Sequence, residues 1–209
     1  QELSELLTSH SCRVILATTT HGAYRSLLGD ANEDHDDDEI YHVTHAGIGT
    51  TFIEGEERIA QLWDQSGLVA TSLSKPEMDL LLWKKLAANC VINPLTSILD
   101  CTNGDLVRNN YFQNMFPALL TEISMVAQQS ISTSFSGELA PDKLLTFVDT
   151  VIADTKNNTS SMRQDIMRRK PTEIKYLNGF VVRKGEQLGI KTPKNQELIE
   201  KVRELEAST

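Results

Sequence analysis

Polar side chains recur at helical intervals in the otherwise apolar stretch from residue 81 to residue 106. At about 100° per residue, Lys85, Asn89, Asn93 and Thr96 fall within roughly a quarter of the circumference of one helix. The other directions are nearly all apolar, and a helix that is hydrophobic almost all round belongs inside a protein. The polar groups must then either pair with other protein groups or line a wet cavity that receives a polar ligand.

The residue types in this stripe indicate what chemistry they could do. An ammonium withdrawn from water gives up a proton more readily, so Lys85 is a candidate proton donor. The amides of Asn89 and Asn93, one and two turns further along, can donate and accept hydrogen bonds. Lys84 points about 100° away and is predicted to be a surface residue. A purely structural alternative, in which Lys85 has a carboxylate partner and the asparagines bond to backbone, stays open.

Pro94 interrupts the backbone hydrogen bonding of the same helix. Its ring nitrogen carries no hydrogen, so it cannot donate to the carbonyl of Cys90, four residues earlier. The helix is therefore predicted to bend there or to begin anew after Asn93. Cys90 lies on the apolar side and is predicted to be a small core residue.

Glu173 is a second charged residue in an apolar pattern. A helix predicted over residues 171–188 would place its carboxylate on the same face as Leu177 and Phe180. A carboxylate on that face needs a partner, unless the positive end of the helix dipole stabilises it. Both explanations are compatible with the sequence.

Two other polar positions have ordinary structural explanations. Ser161 and Gln164 occupy the positions of a capping box at the start of a short helix predicted over residues 161–169. Asn103 precedes Gly104 in a turn, where asparagine tolerates a positive φ.

The acidic charge of the chain is concentrated in one segment. Seven carboxylates between residues 30 and 39 account for most of the net charge of −9, which predicts a solvated loop. The segment begins like an EF-hand loop, but His35 and Tyr41 stand where glycine and a bidentate glutamate are needed, so calcium binding is not expected. Without a basic patch, nucleic acid is not expected as a partner.

Length, cysteines and hydropathy narrow the class of protein. A chain of 209 residues, 40% of them hydrophobic, can form one large domain or two small ones. The chain has three cysteines, Cys12, Cys90 and Cys101, and no two of them form a C-x-x-C pair. This argues against a disulfide framework and against a zinc site, so no metal is expected. With neither a bilayer-spanning run nor a secretory signal at its start, the chain is predicted to be cytoplasmic and to have no membrane partner.

The pattern changes from strands to helices near residue 75, which is the candidate domain boundary. Strands are predicted over residues 13–20, 39–45, 50–53 and 68–73, with a hairpin connection at 46–49 and a helix over 56–65. The helices predicted after the boundary cover residues 76–100, 113–130, 141 onward, 161–169, 171–188 and 195–205.

The sequence also resembles a known family. The run KKLAANCVINPLTSILDCTNGDL is similar to the substrate-site helix of the ketopantoate reductases (2-dehydropantoate 2-reductases), whose pattern is K-L-x-x-N-x-x-x-N-P-L followed by an N-G-[ED]-L turn. Residues 158–202 are similar to the C-terminal signature of that family. The resemblance implies an α/β plus all-α fold. Residues 1–75 would be the trailing part of a Rossmann-like NADP-binding domain, and residues 76–209 an all-helical domain like the C-terminal domain of 6-phosphogluconate dehydrogenase.

The same resemblance implies a set of site residues. Lys85 would be the catalytic lysine that protonates the substrate, and Glu173 would bind its hydroxyl close to that lysine. The substrate contacts implied by the family are Asn89, Asn93, Asn103, Asn158 and Ser161.

The implied activity is NADPH-dependent reduction of 2-dehydropantoate to (R)-pantoate, a step towards pantothenate and coenzyme A. No strand leads into G-x-G-x-x-G, so the chain resembles a fragment without the cofactor fingerprint, expected to be inactive alone and with its cofactor-binding residues unidentified. A homodimer through the helical domain is also expected. The alternatives are a related 2-hydroxy-acid dehydrogenase for another small keto acid and a non-catalytic helical interaction module.

Overall fold

The computed structural model describes residues 14–27 and 41–208. The start of the first predicted strand, Cys12 and the predicted acidic loop over residues 29–39 lie outside these ranges. The strands are β1 (Ala17–Thr19), β2 (Gly22–Leu27), β3 (Tyr41–Gly47), β4 (Thr51–Glu54) and β5 (Ala70–Leu73). The α-helices are α1 (Glu57–Gln65), α2 (Lys75–Ile98), α3 (Asn110–Gln128), α4 (Thr133–Ser136), α5 (Pro141–Asp154), α6 (Ser161–Met167), α7 (Asn178–Leu188) and α8 (Pro193–Ser208). Two 3₁₀ helices span Asn103–Arg108 and Gly137–Leu139.

The chain divides into two compact units between Met78 and Asp79. In the first unit, β4 and β5 are parallel neighbours connected through α1, and β1 pairs antiparallel with β4. A parallel pair needs such a crossover, because the chain must return to the starting end of the sheet. Alternate side chains of β4, Thr51 and Ile53, are buried, as the period of two in a strand requires.

Three predictions for the first unit are wrong in detail. The segment 46–49 is not a hairpin connection, because β3 pairs with β2 in a separate two-stranded sheet while β4 pairs with β1 and β5. The strand predicted to run from residue 13 to residue 20 is only Ala17–Thr19, and it is largely exposed. Residues 22–27, where no strand is predicted from the sequence, form β2.

The second unit is all-helical and holds one buried apolar cluster. Its fully buried side chains come from several helices and include Val91, Leu95, Leu119, Leu120, Ile123, Leu144 and Leu198. The predicted helix over residues 113–130 begins earlier, at Asn110, because the Asn109 side chain accepts hydrogen bonds from the backbone N–H groups of Tyr111 and Phe112 at 2.8 and 3.4 Å. The chain therefore combines an α/β part with an all-α part, as predicted.

Helix α2 continues through Pro94 to Ile98 and does not restart after Asn93. Its beginning is fixed by Ser74, whose backbone N–H and hydroxyl both donate to the Glu77 carboxylate, at 2.9 and 2.6 Å. The Glu77 carboxylate thus satisfies the Ser74 N–H, a donor that the helix itself leaves unpaired.

The helices α6 and α7 begin at different residues from those predicted. The N-cap of α6 is Ser160, whose hydroxyl accepts from the Arg163 N–H at 3.2 Å, so Ser161 is the first helical residue and not the cap. Helix α7 begins at Asn178 and not at residue 171, because Leu177 has a non-helical ψ of −96°. The helix ends at Leu188, the predicted last residue, and Gly189 follows it in the left-handed region at φ 71°.

Within residues 14–27 and 41–208, no helix is long and apolar enough to cross a membrane.

Candidate functional site

The polar stripe of α2 runs from the surface into the core of the helical unit. Lys85 is exposed, Asn89 is half-buried, Asn93 is 9% exposed and Thr96 is fully buried. The prediction that the Lys85 ammonium is buried is therefore wrong for this chain, because the first turns of the stripe lie at the surface and only the later turns are covered. A stripe of this form presents an ammonium and one amide at an accessible end.

Lys84 and Lys85 have exchanged the environments that the sequence predicted for them. The Lys84 side chain is 25% exposed, its Nζ lies 3.8 Å from a carboxylate oxygen of Glu138, and it stands 6.0 Å from the ring centre of Phe147. A hydrogen bond from Lys143, together with the positive charges of Lys143 and Lys84, holds the pKa of the Glu138 carboxyl below its usual range. Lys84 thus packs against the helical unit, while its neighbour faces outward.

Thr96 and Ser160 connect the buried end of the stripe to the start of α6. Their hydroxyl oxygens lie 2.7 Å apart, and the Thr96 hydroxyl also lies within hydrogen-bonding distance of the carbonyls of Ile92 and Asn93, at 2.7 and 3.1 Å. Ser161, predicted to contact substrate, directly follows Ser160 and is exposed. The structure therefore brings Ser161 to the same side of the unit as the end of α2.

Asn103 and Asn158 form a second pair of predicted site residues. The Asn103 backbone N–H donates to the Asn158 carbonyl at 3.1 Å, and its side-chain amide donates to the Thr155 hydroxyl at 3.0 Å. Asn103 is 6% exposed, whereas Asn158 is exposed. The side-chain oxygen of Asn103 is buried and has no hydrogen-bond partner among the residues that the structure describes.

Gly104 permits this pairing. A Cβ atom at this position would lie 2.7 Å from the Cβ of Lys156, and the Gly104 N–H donates to the Lys156 carbonyl at 2.9 Å. Only glycine allows the two backbone segments to approach so closely.

Glu173 is placed differently from its prediction. It lies in the turn before α7, is exposed, and does not share a helical face with Leu177 and Phe180. Its backbone carbonyl accepts from the N–H groups of Tyr176 and Leu177, at 2.8 and 3.1 Å. Within the described parts of the chain its carboxylate forms no hydrogen bond or ion pair, so it is not paired with Lys85 there. The dipole of α7 does not stabilise the Glu173 carboxylate either, since this helix begins five residues later.

An apolar pocket borders the exposed end of the stripe. It has a volume of about 220 Å³ and is lined by Asp79, Leu82, Trp83, Leu86 and Phe180. The rings of Trp83 and Phe180 lie 5.7 Å apart, tilted by 50°, which is within the favoured range for aromatic pairs. Leu82 and Leu86 lie within about 100° of Lys85 on the helix, so alkyl or aryl surface adjoins the ammonium.

The connection from β4 to α1 does not fit the pyrophosphate of a dinucleotide. A strand followed by a helix N-terminus is the arrangement that receives such a group. Here the connection contains one glycine, Gly55, between Glu54 and Glu56, and Glu57 opens the helix. These carboxylates occupy the positive end of the α1 dipole and would repel a diphosphate.

No three His, Cys, Asp or Glu side chains of residues 14–27 and 41–208 cluster so that they could hold a metal ion.

Comparison with known proteins identifies the family. The family described as ketopantoate reductase PanE/ApbA C terminal matches residues 77–206. The chain belongs to this family, and its fold is the trailing part of a Rossmann-like domain followed by the helical domain of these oxidoreductases.

The relatives carry the name 2-dehydropantoate 2-reductase. The one from Vibrio cholerae serotype O1 is 38% identical over 213 residues, which cover 100% of this chain and 65% of that protein. The one from Archaeoglobus fulgidus is 30% identical and covers 97% of this chain and 64% of that protein. The chain thus spans somewhat less than two thirds of the length of these relatives.

Two solved structures have a similar fold. A PanE/ApbA family ketopantoate reductase from Ralstonia eutropha JMP134 is 26% identical with a TM-score of 0.72, over 92% of this chain and 59% of that one. A D-mandelate dehydrogenase, in a ternary structure with NADH and anilino(oxo)acetate, is 26% identical with a TM-score of 0.70, over 79% of this chain and 55% of that one.

Proposed function

We propose that this chain supplies the keto-acid side of an NADPH-dependent reductase that converts 2-dehydropantoate to (R)-pantoate. The observation that carries the proposal is the stripe of α2, which presents Lys85 at the surface and leads through Asn89 to the buried Asn93. Family membership and the names of the relatives support the substrate. As an enzyme of pantothenate biosynthesis, the protein would work in the cytoplasm.

Lys85 is the proton donor in this proposal. Reduction adds a hydride to C2 of the keto acid, and the carbonyl oxygen must then take up a proton as the carbon–oxygen double bond becomes single. NADPH, when bound, would supply the hydride. Lys85 Nζ would give its proton to the oxygen and be left as a neutral amine. Because Lys85 is exposed at the accessible end of the stripe, a substrate can reach it.

The amide and hydroxyl groups bind and orient the substrate. Asn89 and Asn93 continue the stripe beyond Lys85, and Ser161 stands beside the Thr96 and Ser160 contact, so these groups supply donors for a carboxylate. Asn103 has a buried oxygen that lacks a partner among the described residues, and Asn158 is fixed to it through backbone. Glu173 is exposed and is proposed to accept the hydrogen bond of the substrate hydroxyl.

The proposal is tested by assaying the complete protein. With NADPH and 2-dehydropantoate we expect consumption of NADPH together with formation of an equal amount of pantoate, identified by mass spectrometry. A protein that binds NADPH but forms no pantoate at any substrate concentration would contradict the proposed function.

The predicted homodimer stays a prediction, which sedimentation of the same preparation would test.

A second candidate is a 2-hydroxy-acid dehydrogenase for an aromatic keto acid. Two observations favour it: the similarity to a D-mandelate dehydrogenase and the aromatic lining of the pocket beside Lys85. Comparing kcat/KM for benzoylformate and 2-dehydropantoate decides between the candidates. If Trp83→Leu lowers the value for the aromatic acid while leaving that for 2-dehydropantoate nearly unchanged, the pocket is an aryl site.

A further inference from the structure

Pro94 leaves one carbonyl of α2 without its backbone donor. In an uninterrupted helix the carbonyl of Cys90 would accept from the N–H of residue 94, but proline has none. Cys90 is fully buried, so water does not replace the missing donor, and an unpaired carbonyl in such a place is costly. Burial also raises the pKa of the Cys90 thiol well above its usual range, which agrees with a dry, apolar environment.

The missing donor is supplied by Asn178, the first residue of α7. Its Nδ2 donates to the Cys90 carbonyl at 3.0 Å, across 88 residues of chain, and the Asn178 side chain is fully buried. An asparagine amide carries two hydrogens, and the second donates to the Asn195 side-chain oxygen at 3.1 Å. Both hydrogens of the amide are therefore used.

Asn195 is held in turn by Glu122. The backbone N–H and side-chain amide of Asn195 both donate to Glu122 Oε2, at 3.0 and 2.9 Å, and the Lys194 N–H donates to Glu122 Oε1 at 2.8 Å. Glu122 is 8% exposed and accepts the free donors at the start of α8. The network thus fixes Asn178 from α3 and α8, so that its amide can present one hydrogen to α2.

The bond falls within the turn of α2 that carries two proposed substrate contacts. Cys90 directly follows Asn89, and Asn93 directly precedes Pro94. On the other side of the turn, the hydroxyls of Thr96 and Ser97 lie 3.1 and 2.8 Å from the Asn93 carbonyl. Carbonyl groups at both ends of this turn are therefore held by side chains in addition to, or in place of, the helix bonds.

We propose that Asn178 is a positioning residue that holds the Asn89–Asn93 turn in the geometry that binds the keto acid. The inference rests on the proposed function. It assigns Asn178 no contact with substrate, because the Asn178 amide acts on the turn through its hydrogen bond to the carbonyl of Cys90. Loss of the Asn178 amide lets this turn move and weakens the binding of the substrate by Asn89 and Asn93.

The test combines kinetics of the complete protein with hydrogen exchange. For Asn178→Ala we expect the KM for the keto acid to rise about tenfold, the scale of one lost hydrogen bond, with kcat and the KM for NADPH changed less than about twofold. Amide exchange in residues 89–93 should become faster than the overall loss of stability explains. Ser124→Ala is the matched control, since it removes another fully buried bond from a side chain to a carbonyl, that of Leu139 at 2.6 Å.

A second substitution keeps the inference testable if Asn178→Ala folds poorly. Pro94→Ala provides a backbone N–H for the Cys90 carbonyl. The double variant Asn178→Ala/Pro94→Ala should therefore reverse most of the rise in KM and regain most of the exchange protection. Strictly additive effects, or a KM shift as large in Ser124→Ala, would overturn the inference. If the unsubstituted protein forms no product, the proposed function fails, and exchange alone then decides whether Asn178 holds the turn.

Discussion

The hydroxyl oxygens of Thr96 and Ser160 lie 2.7 Å apart, although 64 residues separate them in the chain. Thr96 is the buried end of the polar stripe of α2, and Ser160 is the cap of α6. The pair therefore fixes the start of α6, and with it Ser161, against the helix that carries Lys85 and the two asparagines.

Replacing Ser160 should mainly lower the stability of the protein, whereas replacing Ser161 should mainly weaken substrate binding. Ser160→Ala removes the N-cap and the bond to Thr96, so we expect a loss of about 1 kcal/mol or somewhat more in the free energy of unfolding. Ser161→Ala removes an exposed hydroxyl and should leave stability within about 0.5 kcal/mol while raising the KM for the keto acid. Urea unfolding and steady-state kinetics on both variants check this, and a stability loss confined to Ser161→Ala would contradict the assignment of the cap.

Lys85→Ala in the complete protein should lower turnover by about two to four orders of magnitude, the usual effect of a positioned general acid. Cofactor affinity should change little. Lys84→Ala is the matched control, because it removes the neighbouring ammonium, which contacts Glu138 at 3.8 Å instead. It should retain most of the turnover. Equal losses in both variants, or near-normal turnover in Lys85→Ala, would remove Lys85 from the mechanism.

Glu173→Gln should reduce kcat/KM about a hundredfold, or about 2.7 kcal/mol of transition-state stabilisation. The melting temperature should stay close to normal, since the carboxylate is exposed, lies in a turn, and caps no helix. Glu186→Gln, an exposed glutamate on α7, serves as a control for the loss of one negative charge. A clear loss of stability in Glu173→Gln with unchanged kcat/KM would leave the residue with a structural role only.

Residues 1–209 by themselves should not bind NADPH tightly. The β4–α1 connection carries carboxylates where a pyrophosphate would need backbone N–H groups and a free positive dipole. Calorimetry on this chain should show no binding in the micromolar range, while a complete protein with reductase activity serves as the positive control. Micromolar binding by residues 1–209 would mean that the cofactor site lies within them.

Deprotonation of Tyr111 should lower the free energy of unfolding at high pH. Burial first, and then the charge of Glu197, raises the pKa of Tyr111 to about 12, and its hydroxyl donates to Glu197 Oε1 at 3.1 Å. The folded protein thus holds this proton more tightly than the unfolded chain, whose tyrosine titrates near 10. The contribution is fully present below about pH 10 and is lost as the pH rises to about 12. Unfolding measured across this range should show a smaller decline for Tyr111→Phe than for the unsubstituted protein.

Features that depend on neighbours along the chain could be predicted from the sequence. The helical spacing of residues 85–96 identified α2 and its polar stripe, and the apolar side of that helix placed Cys90 in the core, because both follow from the geometry of one helix. The family was also recognisable, since the motif fixes residue types at set intervals. Glycine at position 189 marked the end of α7 for the same local reason.

Strand pairing and solvent exposure required the tertiary structure. The glycines at 47 and 49 resemble a hairpin turn, yet β3 and β4 pair with strands elsewhere in the sequence, which no local pattern specifies. The pattern of α2 predicted burial on nearly all sides, but which of two adjacent lysines packs against Glu138 depends on where α5 and the segment before it lie.

The partner of the Cys90 carbonyl illustrates the same division. That Pro94 leaves this carbonyl without a backbone donor could be predicted from the sequence, because proline has no N–H within a chain. That Asn178 supplies the donor could be seen only in the folded chain, since the bond joins α2 to α7 across 88 residues. It depends on Asn195 and Glu122, which hold the amide in place. A missing donor is a property of one residue, whereas its replacement is a property of how the helices pack.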